Sequence, residues 1–275
     1  MFPTNQNSEK VNLAFTKQSE IYDEYEKSNK LLSWMRQQVY EAVLPYLKTG
    51  NKILELNSGT GTDAIFFAKL GFNVLCTDLS DGMIRKISEK IKKENLQSRI
   101  KVFQCSFTEL DELYNEKFDF IFSNFGGLNC VNDLRLVTTH FPKLLNEGGK
   151  VCLVIMPPVC LWEILHVFKG NFKFAFRRFN NSGATANVEG VSFKTYYFTT
   201  REIKSALGNK FRIIHKQGLG VFTPIPQMEN FINKHERLIK LFQKFDKMFS
   251  KHFPFNLVGD HLILIAEYNS TIKQK

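Results

Sequence analysis

Two carboxylates and two glycines stand at a spacing that suits a nucleoside. The run Ile53-Leu54-Glu55-Leu56-Asn57-Ser58-Gly59-Thr60-Gly61 carries a short apolar stretch into a glycine turn, and Asp78 follows 23 residues after Glu55. Glycines at such a turn let a ligand press against bare backbone, where a Cβ would collide with it. An acidic residue at the end of the next apolar stretch can accept two hydrogen bonds from a ribose diol. Gly59-x-Gly61-x-x-Ala64 also fits the dinucleotide fingerprint, with Asp78 where a ribose partner belongs. Two features point away from NAD. Glu55, just before the loop, would face a pyrophosphate unfavourably but suits a ligand with a cationic amine. The chain also ends in a pair of strands joined by a reversal, not in a second mononucleotide-binding half.

Stepping outward, the elements that must carry these residues alternate. Helices are expected over 11–28, 30–47, 62–70, 81–94 and 132–145, and strands over 52–56, 73–77, 100–104, 118–123 and 150–156. Short buried strands spaced by helices of this length predict an α/β chain, a doubly wound, mostly parallel sheet with helices on both faces. The pattern changes after Pro157-Pro158. A polar turn region (NNSGATANVEG) precedes a strand-like run over 191–198, then come a helix at 200–207 and strands at 211–216 and 261–268. The expected organisation is N-terminal helices closing the site (1–47), a nucleoside-binding core (48–156), a cap insertion (157–200), and final strands (201–275) with a helical insertion at 220–258.

E-L-N-S-G-T-G and the following T-D-L-S resemble the first two motifs of the class I S-adenosylmethionine-dependent methyltransferases of the small-molecule type. Phe103–Phe107 falls at that family's third motif, Phe118–Phe125 resembles its fourth strand, and Leu144–Lys150 resembles the lead into its fifth. Ala14-Phe15 and Tyr22-Asp23 resemble its N-terminal helix. The resemblance implies a seven-stranded sheet of order 3-2-1-4-5-7-6 with the last-inserted strand antiparallel, and S-adenosyl-L-methionine as cofactor. It implies that Glu55 and the loop backbone of Asn57, Gly59 and Gly61 hold the amino-acid part, and that Asp78 holds the ribose. Leu79 and Met83 would pack the adenine, with Ser106 and Phe107 flanking it. Asn124 and Phe125 would line the path to the methyl group, and Tyr22 would close the site as a lid. Two positions depart from the family pattern. Asn57 replaces the first loop glycine, and Asn tolerates a left-handed backbone. Ser106 stands where an Asp often meets the adenine amino group.

Methyl transfer to a hydroxyl profits from a base, because deprotonation makes oxygen the better nucleophile. His166, in the helix after the fifth strand, is the candidate, against the alternative of a packed histidine. Positioning alone can also drive such a transfer, with no base. Phe125-Gly126-Gly127-Leu128 is not N-P-P-Y, so the sequence gives no support for methylation of an exocyclic amine on adenine or on a glutamine. The aromatic-rich cap suits a small apolar, aromatic or lipid-like acceptor, at oxygen first and carbon next. The rivals are an NAD-dependent oxidoreductase and a non-catalytic nucleoside-binding module.

Net charge is +10, and it is lopsided: −1 over residues 1–149 and +11 over 150–275. In the segment 226–253, Phe231, Leu238, Phe242, Phe245 and Phe249 recur at helical spacing, while Lys234, Arg237, Lys240, Lys244, Lys247 and Lys251 fall elsewhere on the wheel. One reading is a cap helix with the aromatic stripe on the core. The other is an interfacial helix on an anionic membrane. Nucleic acid is not expected, since one arginine offers little bidentate readout. No apolar run is long enough to span a bilayer, and the N-terminus lacks the pattern of a signal peptide. Five cysteines without a C-x-x-C pair read as buried thiols in a reducing cytoplasm. The six histidines show no metal spacing, so no metal is expected.

Overall fold

A computed structural model describes residues 5–271. Helices α1 (Asn5–Gln18), α2 (Tyr22–Ser28) and α3 (Lys30–Val43) lead into β1 (Lys52–Leu56), α4 (Thr62–Lys69), β2 (Asn73–Asp78), α5 (Asp81–Lys93), β3 (Ile100–Gln104) and β4 (Phe118–Ser123). Two helical turns, α6 (Arg135–Thr138) and α7 (Phe141–Leu144), precede β5 (Leu145–Ile155). Beyond it come α8 (Leu161–Ile164), α9 (Phe172–Ala175), β6 (Ala184–Val188), β7 (Val191–Thr195), α10 (Thr200–Leu207) and β8 (Phe211–Leu219). The chain closes with α11 (Glu229–Lys234), α12 (Glu236–Phe249) and β9 (His261–Tyr268).

Seven strands form one sheet in the order β3-β2-β1-β4-β5-β9-β8. β9 runs antiparallel to both neighbours and is inserted between β5 and β8. In sheet-strand numbering this is 3-2-1-4-5-7-6, the expected order. The central strands are buried on both faces, which is why β1, β4, β9 and the second half of β5 read as mostly apolar runs. Ile53, Phe120, Phe122 and Ile263 pack under α3, α4 and α5. Leu54, Ile121, Leu153 and Leu264 pack under α7 and α10. Local chemistry sets the helix ends. The Asn29 side chain accepts from Leu32 N, Ser80 caps α5 by accepting from Met83 N, and Thr199 with Glu202 closes a capping box on α10.

The direction of chain changes between β2-β1 on one side and β4-β5 on the other, so the crevice at the strand ends lies at the switch point. Because β9 is antiparallel, its first residues also reach that edge. α1 covers the crevice from one side and the β6–β7 hairpin from the other. Phe15 meets Phe193 at 5.9 Å, and Asn7 Oδ1 accepts from Lys194 N at 2.8 Å.

Several element boundaries differ from expectation for identifiable reasons. The single helix expected over 11–28 breaks at residues 19–21, where the Ser19 hydroxyl turns back to donate to Thr16 O. Gly82 permits this corner to sit on α5, since a Cβ there would stand 2.8 Å from Thr16 O. The helix expected over 132–145 is two turns, with Pro142 opening the second. The polar region before 191 contains β6, because Glu189 (φ 49) and Gly190 (φ 78) make a tight two-residue hairpin turn. The insertion 226–253 is two helices rather than one; Ile232, Ile239 and Asp246 are buried, Phe231, Phe242 and Phe245 of the expected stripe are half-buried beside them, and Leu238 and Phe249 are exposed. Asp246 sets that rotation: its carboxylate accepts the N–H groups of Val221, Phe222 and Thr223 at 2.9–3.0 Å.

Candidate functional site

The β1–α4 loop is built for close approach. Asn57 (φ 46), Gly59 (φ 56) and Gly61 (φ 79) are all left-handed. Nothing lies within 4 Å of where a Cβ on Gly59 would stand, so the backbone there is open to close approach, whereas a Cβ on Gly61 would run into Ile87. Asn57 takes the conformation expected of it, but its side chain is engaged elsewhere. Its Nδ2 donates to Asn124 O at 3.0 Å, and its Oδ1 accepts from Ser123 Oγ at 2.6 Å. Gly127 is bare for the same reason, since a Cβ on it would overlap the Asn57 amide.

Asp78 stands at the end of β2. Its Oδ2 accepts from Gly59 N and its Oδ1 from Ser80 N, both at 2.9 Å. Each oxygen keeps a lone pair, so the aimed carboxylate can take two further donors. Burial raises the Asp78 carboxyl, and the N–H groups of Ser80, Gly59 and Leu79 oppose that rise. Leu79, Met83, Ser106 and Phe107 line the same cavity as Asp78. The Ser106 hydroxyl is tied to Thr108, 2.7 Å from its Oγ1.

A small pocket beside the loop is lined by Tyr22, Arg36, Thr60, Asp63, Asn124 and Phe125, among others. Its charges are organised around Arg36, which is buried, pairs with Glu26 and Asp63, and lies 4.7 Å over the Phe125 ring. Asp63 also accepts from Tyr40 Oη at 2.6 Å and from Asn124 Nδ2 at 3.0 Å. Tyr22 Oη lies 3.5 Å from an Arg36 nitrogen, and burial pushes its phenol up to about 12, against the pull of Arg36. Glu55 lies elsewhere. It lines neither cavity and shares a sheet face with Ile53, between Cys76 and Phe122. Burial, reinforced by Asp63, raises its carboxyl well above the usual range. Arg36 and Asp63, not Glu55, line the small pocket beside the loop. The signal that could have found Asp63 is its position one residue inside a helix that opens on a glycine loop.

The pocket opens into a cavity of about 600 Å³ that runs along the sheet edge from Asp78 past Asn124–Gly127 to Asp260 and His261. Four strand spacings separate β2 from β9, roughly 19 Å. Val11, Phe15, Phe107, Phe174, Val188 and Phe193 supply apolar walls. His166 is not among the lining residues; its ring packs on Phe174 at 4.7 Å. The histidine in the cavity wall is His261. Its Nδ1 lies 3.2 Å from Asp260 Oδ2. Its Nε2 faces the Phe125–Gly127 loop, 3.3 Å from where a Cβ on Gly126 would stand, and its ring meets Phe125 edge-on at 5.6 Å. Asp260 is held from behind. Arg178 Nη2 donates to its Oδ1 at 2.8 Å and Nη1 to its backbone oxygen at 2.9 Å. Arg178 and Arg177 both bind Glu163, at 2.7 and 2.6 Å. Burial alone would raise the Asp260 carboxyl, but His261 and Arg178 hold it well below the usual range. Asp260 stands beside Nδ1, which is buried without a hydrogen-bond partner, and Nε2 on the cavity side can accept a proton. Sequence position could not reveal it, because β9 reaches this edge only through its antiparallel insertion.

A family model described as a methyltransferase domain matches residues 53–149. The chain is 29% identical over 149 residues to a demethylmenaquinone methyltransferase of Clavibacter sepedonicus, covering 52% of this chain and 58% of that protein. It is 33% identical to a release factor glutamine methyltransferase of Clostridium acetobutylicum, covering 42% and 50%. A phosphoethanolamine N-methyltransferase 2 of Haemonchus contortus, solved with phosphomonomethylethanolamine and S-adenosylhomocysteine, superposes at TM-score 0.59 with 16% identity, covering 98% of this chain and 61% of that one. The chain thus spans between half and two thirds of each of these proteins. Residues 53–149 thus match a methyltransferase domain, and the sheet around them has the strand order expected of that fold.

Proposed function

We propose that this protein binds S-adenosyl-L-methionine at the β1–α4 loop and methylates a small, apolar hydroxyl-bearing acceptor held in the adjoining chamber. The observation that supports it most is a continuous cavity in which the pre-aimed Asp78 carboxylate, the bare Gly59 backbone and the Phe125–Gly127 loop share one wall. When bound, the cofactor supplies an electrophilic methyl carbon on a sulfonium. Asp78 accepts hydrogen bonds from the ribose hydroxyls, Met83 and Phe107 flank the base, and Ser106 offers its hydroxyl near it. Arg36, Asp63 and the loop backbone serve the amino-acid end, with Tyr22 closing over it. The apolar walls position the acceptor and exclude water, which would compete with it. His261 Nε2 would take the acceptor's hydroxyl proton and the nearby Asp260 carboxylate would stabilise the imidazolium, while the bound cofactor would supply the methyl group to the hydroxyl oxygen as its carbon–sulfur bond breaks to leave S-adenosylhomocysteine.

The names of the similar proteins specify unlike acceptors, a quinone ring, a glutamine and a phosphoamine, so the acceptor class rests on the chamber itself. Isothermal titration with S-adenosylmethionine, S-adenosylhomocysteine and NAD tests the cofactor. One site for each of the first two and no heat with NAD is expected. The reverse pattern would establish the oxidoreductase reading instead.

A further inference from the structure

Helix α12 carries a surface that methyl transfer does not use. At about 100° per residue its side chains divide into three sectors. Ile239, Phe242 and Asp246 face the protein. A neighbouring sector roughly 100° wide is apolar yet exposed, with Leu241 at 44%, Met248 at 57% and Phe249 at 38% of their full area, and Leu238 beside them. The third sector is basic: Arg237, Lys240, Lys244, Lys247 and Lys251 are all exposed. Among the described residues none of these five forms an ion pair; on this helix only Glu236 does, with Lys30. Phe253, in the turn just beyond, is 79% exposed. The concentration is regional. Among the described residues, eleven of the fourteen large apolar side chains that are exposed lie between Leu161 and Phe253, in the half of the chain that holds the whole charge excess.

We propose that α12 and the Phe253 turn lie on the surface of an anionic phospholipid membrane. The apolar sector would enter the boundary between headgroups and acyl chains, and the adjacent basic sector would meet the headgroup phosphates. Charge complementarity selects this occupant. A second copy docked on the same face would set one row of unpaired cations against another. A nucleic acid would engage the lysines and leave the leucine, methionine and phenylalanine side chains in water. The helix lies on the membrane rather than through it: among the described residues no helix is long and apolar enough to cross. Association needs neither cofactor nor acceptor, so this inference stands apart from the reading of the catalytic site.

Co-sedimentation of the full chain with vesicles tests it. The vesicles are phosphatidylcholine with one part in four phosphatidylglycerol, compared with phosphatidylcholine alone, at low and high salt. The expected result is sedimentation with the anionic vesicles at low salt and release at high salt. Lys240→Glu with Lys244→Glu and Lys247→Glu should lower partitioning roughly 100-fold. Leu241→Ser with Met248→Ser should lower it as well. All five side chains are exposed, so circular dichroism and the thermal transition should match the parent protein. Absence of sedimentation at low salt, or equal binding by the charge-reversed variant, would overturn the proposal. So would a dimer by light scattering that Leu241→Ser dissolves in the absence of any vesicle binding.

Discussion

Replacing Asp78 by alanine is expected to weaken S-adenosylmethionine binding by about 100-fold or more. Two hydrogen bonds to a charged acceptor are lost, worth about 1.5–3 kcal/mol each. The substitution also strips Gly59 N and Ser80 N of the oxygens they donate to at 2.9 Å, so the loop loses the brace that sets its shape. Asp78→Asn sharpens the test. It keeps the volume, but one backbone N–H then faces an amide NH₂ instead of an oxygen, and intermediate affinity should result. Titration calorimetry reads both, and an unchanged thermal transition separates lost binding from lost folding. Retention of full affinity in Asp78→Ala would move the ribose away from β2 and with it the whole orientation of the cofactor.

His261→Asn is expected to lower kcat/KM by about 10²- to 10⁴-fold, the usual size of a general-base contribution. Cofactor affinity should stay unchanged, since His261 stands at the far end of the cavity from Asp78. A variant with an undiminished rate would leave positioning by the chamber walls as the source of rate.

Much of the sheet was legible because its strands are buried on both faces. Ile53–Leu56, Phe118–Ser123 and His261–Tyr268 are short, mostly apolar runs without the polar face of an amphipathic helix. The glycine loop and Asp78 were legible because local backbone chemistry dictates them: positive φ at residues 57, 59 and 61, and an acid at a strand end. What was not legible depends on contacts between distant segments. Glu55 sits where a ligand carboxylate is expected, yet strand alternation turns it onto the face of Ile53, under Asp63. Arg36 carries no local signature and gains its place only by meeting Glu26 and Asp63. His166 follows the fifth strand directly, whereas His261 reaches the same edge through a strand nearly a hundred residues later. The rotation of α12 is decided by one polar residue: Asp246 must reach three backbone N–H groups, and this carries Leu238 and Phe249 out to solvent.

The central claim is that this chamber holds a methyl acceptor beside a methyl donor. Incubation of the protein with methyl-labelled S-adenosylmethionine and a small-molecule cell extract, followed by mass spectrometry, addresses it most directly. The expected result is a labelled, apolar product carrying one new O-methyl group, formed together with S-adenosylhomocysteine and formed at least about 100-fold more slowly when His261→Asn replaces the parent protein. Cofactor binding by calorimetry with no labelled product from any extract would contradict it, and would make the protein a nucleoside-binding module on a methyltransferase fold.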